Sequence, residues 1–62
     1  MWTVVYIAQS EASAKALQSA LEADGLLVRL RPVSREADGC YEVLVPETEV
    51  DEAHGVMIEI GF

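Results

Sequence analysis

Sixty-two residues make one domain, residues 1–62, and leave no room for a second. Eleven Asp and Glu against four Lys and Arg give a net charge of −7, which repels the phosphate backbone and sets nucleic-acid binding aside. One cysteine, Cys40, and one histidine, His54, exclude a disulfide framework and a structural zinc site.

A chain of this length buries only about 60% of the surface its unfolded form exposes. With disulfides and metal set aside, self-association is the expected remedy. No run approaches the roughly 20 apolar residues that span a bilayer, and the acidic balance disfavours an anionic membrane surface. The opening Met1-Trp2-Thr3-Val4 lacks the basic flank and long apolar core of a signal peptide. A cytoplasmic location is expected, where a lone reduced cysteine fits.

Trp2–Ala8 is nearly all Val, Ile and aromatic, which predicts a strand covered at least in part on both faces. Ser10 is a plausible N-cap, Glu11 suits the first turn, and Ala14, Leu17 and Leu21 recur at helical spacing through to Asp24. Gly25 follows as the stop. A second strand is predicted over residues 26–31, with Leu26, Val28 and Leu30 on one face and Leu27, Arg29 and Arg31 on the other. Pro32 ends it, and residues 34–39, with Asp38-Gly39, read as a hairpin loop. The third strand, residues 40–45, sets Tyr41, Val43 and Val45 against Glu42 and Leu44. Placing Arg29 opposite Glu42 also aligns Val28 with Val43 and Leu27 with Leu44. After Pro46 a second helix is expected, with Thr48 and Asp51 as a capping box, a stripe of Val50, Ala53, Met57 and Ile60, and Gly61 as its end. Phe62 is placed to fold back on the last turn.

These elements predict an α+β, two-layer βαββα sandwich of truncated ferredoxin-like type. The sheet order is 2-3-1, with both helices on one face. The other face is then left open. Regular alternation gives it Leu27, Arg29, Arg31, Glu42, Leu44 and one half of the first strand. That half is Thr3, Val5 and Ile7, or else Trp2, Val4 and Tyr6; polar Thr3 favours the first. An apolar patch rimmed by charge marks a contact surface. Thr3, Val5, Ile7, Leu27 and Leu44 are therefore expected at an interface. A homodimer is expected, formed through that face or the first strand's edge, and an unidentified protein partner is also open.

Chemistry-bearing residues are sparse. Cys40 opens a strand while His54 lies mid-helix, so a thiol–imidazole pair is not favoured over two packing residues. Lys15 falls on the exposed side of its helix, and the carboxylates at 47–52 compensate a helix dipole. Arg29, Arg31 and Arg35 form the one basic cluster. It either pairs with neighbouring carboxylates or holds a small anion, since guanidinium forks match carboxylate and phosphate. No catalytic set, metal site or cofactor motif is expected.

Three stretches carry a family resemblance: Trp2-Thr3-Val4-Val5-Tyr6-Ile7-Ala8, Leu21-Glu22-Ala23-Asp24-Gly25-Leu26, and Tyr41-Glu42-Val43-Leu44-Val45-Pro46-Glu47 followed by Val50-Asp51-Glu52-Ala53-His54. They resemble a family of small prokaryotic signal-transducing domains. The resemblance implies a ferredoxin-like βαββα core like that of nitrogen-regulatory PII proteins, and a signalling role.

Overall fold

In the computed structural model, which describes residues 1–33 and 39–62, three strands and two helices follow one another along the chain. They are β1 (Trp2–Ala8), α1 (Glu11–Ala23), β2 (Arg29–Pro32), β3 (Tyr41–Pro46) and α2 (Val50–Ile60). A short 3₁₀ turn, Glu47–Glu49, leads into α2. The sheet order is β1-β3-β2 with both pairings antiparallel, so β3 is the interior strand. Val43 and Val45 of β3, Leu17 and Leu21 of α1 and Ala53 and Met57 of α2 share one buried cluster, which places both helices on the same face.

Helix α1 begins where Ser10, in extended backbone, accepts the Ser13 N–H on its Oγ at 3.0 Å. Glu11 reaches Lys15 one turn on at 3.4 Å. At its end, Gly25 takes φ +88° and donates to the Glu22 carbonyl, while Leu26 N–H returns to the Leu21 carbonyl at 3.1 Å. This Schellman closure brings Leu26 into the core beside Leu21. Helix α2 closes in the same manner, with Gly61 at φ +86° and Phe62 N–H bonded to the Met57 carbonyl at 2.9 Å.

Several expectations need correction. Residues 26–28 lie outside β2, because Leu26 N–H is committed to α1 and Leu27 N–H donates to Glu49 Oε1 at 3.1 Å. The β2–β3 register is two residues away from the one expected: Arg31 faces Glu42, Leu30 faces Val43 and Arg29 faces Leu44. Face parity survives, since a shift of two keeps every side chain on its side. Val33 N–H to the Cys40 carbonyl, at 3.1 Å, closes the hairpin; residues 34–38 of the expected loop lie outside the described residues. The capping box at Thr48 and Asp51 does not form, because the 3₁₀ turn moves the cap to Glu49, which makes no side-chain cap bond. Ile60 is 45% exposed rather than buried. Beyond the helix end, Phe62 sets its ring against Tyr6, edge to face with centroids 5.4 Å apart.

Two glycines separate backbone from packing. Gly25→Ala meets no atom within 4 Å yet must hold a left-handed φ, so it should lower stability by about 1–2 kcal/mol. Gly55→Ala, inside α2 with equally open space and no positive φ, should raise it by about 0.5–1 kcal/mol. Urea unfolding of both variants checks the opposite signs.

Candidate functional site

The strands' second face, away from the helices, collects the side chains that the core does not use. On β3 these are Glu42, Leu44 and Pro46, opposite the buried Val43 and Val45. Beside them stand Arg29 and Arg31 of β2, in register with Leu44 and Glu42. Strand β1 contributes Trp2, Val4 and Ile7, which face Pro46, Leu44 and Glu42.

That contribution corrects the expected alternation. The register of β1 shifts between Val4 and Tyr6, so Val5 is an extra residue relative to β3. Val5 and Tyr6 both pack toward the helix-side core, and Thr3, opposite Val45, sits on that side too. The open half of β1 is therefore Trp2, Val4 and Ile7, a set that neither regular alternation provides. Of the residues expected at an interface, Ile7 and Leu44 lie on the open face, and Thr3 and Val5 do not. Leu27, 62% exposed, precedes β2.

Leu44 is only 3% exposed although no helix covers it. The Arg29 guanidinium reaches from β2 over the Trp2 ring of β1, 4.4 Å from its centroid. Since β3 runs between these strands, the pair closes over Leu44 like a clasp. A guanidinium over an indole face is attracted by the ring's quadrupole and still has N–H groups that can reach water or an acceptor. Val4 and Ile7, at 38% and 54%, stay in solvent. The face is thus apolar along β1, clasped at its centre and charged toward Arg31.

Arg31 donates from Nε to Glu42 Oε1 at 2.7 Å, and its Nη2 lies 2.6 Å from the same oxygen. No carboxylate among the described residues salt-bridges Arg29. Arg29 and Arg31 are brought together on one face, as the sequence suggests; Arg35 lies outside the described residues. Cys40 is a half-buried free thiol and His54 is exposed on α2, and no hydrogen bond among the described residues joins them. The described residues form no pocket and hold no group of three or more His, Cys, Asp or Glu placed to take a metal ion. No helix among them is long and apolar enough to cross a membrane.

Acid is concentrated elsewhere, where the end of α1 meets the start of α2. The Asp24 carboxylate, through a hydrogen bond and then through like-charge repulsion, raises the Glu52 pKa above its ordinary 4.5; slight desolvation and the Glu49 charge add to this.

The clasp missed in the sequence had one readable sign. Sheet order 2-3-1 brings the first and second strands to either side of Leu44, so a Trp and an Arg on the face of Leu44 can meet across it. Reading that required knowing that Trp2, and not Thr3, faces Leu44's side, and the bulge concealed this.

Comparison of the chain with protein-family models, with curated proteins and with solved structures finds no match.

Two measurements follow from these contacts. Arg29→Ala removes the clasp, wets Leu44 and should cost about 0.5–1 kcal/mol in dilute urea unfolding. The emission of Trp2, the chain's single tryptophan, should shift at the same time. For Glu52 the native state binds its proton more readily than the unfolded chain does. Its favourable contribution is therefore complete below the ordinary value of 4.5 and is lost as pH rises through the raised native value. Glu52→Gln should raise Tm at neutral pH, with the gain shrinking to nothing in acid, as thermal melts across that range would record.

Proposed function

We propose that this chain is a non-catalytic protein-interaction module that acts as a homodimer, with the open sheet face as its contact surface. The observation that carries the reading is a sheet covered by helices on one side only, whose other side leaves Val4 and Ile7 in water beside a Trp2–Arg29 pair. Tryptophan and arginine are the side chains most enriched among energetically dominant interface residues. A small domain also gains most from burying such a patch, because its own core is limited.

Between the two expected modes of association, face packing has the better support. Strand β1 carries no charged side chain and pairs only with β3, which would suit edge-to-edge addition. Its bulge, however, bends the strand after Val4 and interrupts the run of backbone groups that a second strand would have to match. The face has no such interruption. The resemblance of the chain's motifs to small signal-transducing domains supports a signalling role for the dimer.

A second reading, a sensor of small anions at Arg29 and Arg31, draws support from Arg29, which has no carboxylate partner among the described residues. A flat sheet surface encloses a small ligand poorly, which makes a broad protein contact the better fit.

Sedimentation equilibrium at tens of micromolar should give a dimer. Replacing Val4 and Ile7 with Gln leaves charge unchanged and should weaken association by about tenfold or more. A wild-type chain that sediments as a monomer overturns the reading. A monomer whose Tm rises with phosphate or citrate, and loses that rise in Arg29→Ala, replaces it with the anion sensor.

A further inference from the structure

We propose that Glu42 is the charge hinge of the dimer: its Oε1 holds Arg31 of its own chain while its Oε2 accepts the Arg29 guanidinium of the second copy. This rests on the homodimer reading above and adds the chemistry that would set its orientation.

Three observations converge on it. Glu42 places both of its Arg31 contacts on Oε1, and no ion pair among the described residues uses Oε2. Arg29 is exposed, lies over the Trp2 ring and has no carboxylate partner among the described residues, in a chain where acids outnumber bases eleven to four. Glu42 is also the only carboxylate in the three strands.

A two-fold contact between identical faces uses the same patch on both copies. Among the strand residues of such a face, the acid offered to Arg29 is Glu42. Among the described strand residues, two arginines and one glutamate give the face a local charge of +1, formed as 2 − 1, inside a chain of net charge −7. One carboxylate can serve two guanidiniums because its two oxygens each accept. The stacked Arg29 loses little side-chain freedom when it takes up an acceptor, so the bond comes at small entropic cost.

The test is a charge exchange. Arg29→Glu sets two acids against each other across the dimer, and Glu42→Arg sets two bases; each should weaken self-association by about a hundredfold. Mixed together, the two variants should form a heterodimer, because every crossing pair is again opposite in sign. Glu42→Arg also removes the pair with Arg31, so circular dichroism and Tm must show it folded. Glu42→Gln serves as the milder variant, with weaker association and a flatter salt dependence expected. Single variants that dimerise as tightly as the wild type, or a mixture that stays monomeric, overturn the cross-pair while leaving the dimer standing. Edge-to-edge pairing through β1 would give the first of these results. A monomeric wild type removes the dimer itself and the cross-pair with it.

Discussion

A three-stranded sheet has only one interior strand, and here β3 must satisfy both layers of the molecule at once. Val43 and Val45 are fully buried against α1 and α2, while Leu44 is buried from the other side. Each buried aliphatic side chain of this size contributes about 1.5–3 kcal/mol relative to leaving it exposed. Strands β1 and β2 flank β3 and take their registers from it, and both helices pack on the valines it presents. Burying β3 on both faces is therefore the condition that the remaining contacts serve.

On the helix side this condition is met by shape. The stripe of Ala14, Leu17 and Leu21 and the shorter one of Ala53 and Met57 lie over the valines, and the closure at the end of α1 turns Leu26 inward. On the other side there is no helix, and a leucine in mid-sheet would be wet. Trp2 and Arg29 solve this with side chains alone. The indole supplies area, the arginine stem and guanidinium cover the gap, and the charge remains hydrated at its N–H edges. The same pair is a polar-rimmed anchor of the sort that protein contacts favour. The open face can thus tolerate water and still offer something to bind.

The α+β class and the helices were legible from apolar spacing, as in Ala14, Leu17 and Leu21 of α1. The sheet order was legible from connectivity, a strand–helix–strand crossover followed by a hairpin. Two features were hidden. The bulge at Val5 leaves no trace in a segment where nearly every side chain is apolar, so the face of β1 could not be read from alternation. The register of β2 was hidden for a different reason. Arg29 and Arg31 are both able to meet Glu42, and the two arrangements differ by two residues, which preserves every face. Among the described residues, the contacts that favour the observed one are non-local: the Leu21–Leu26 closure and the bond from Leu27 N–H to Glu49 hold the chain where it enters the strand. Of the candidate site, the arginines, Ile7 and Leu44 were readable, whereas Trp2's role depended on the bulge.

The interchangeable arginines have an energetic consequence. Either alignment of β2 on β3 sets one arginine against Glu42 and keeps the strand's apolar side chains on one side, so neither the ion pair nor face parity ranks the two. The contacts that differ lie outside the ladder: the return of Leu26 N–H to α1 and the bond from Leu27 N–H to Glu49 hold residues that the other alignment would take into the strand. The segment that leaves α1 thus helps to set where β2 begins.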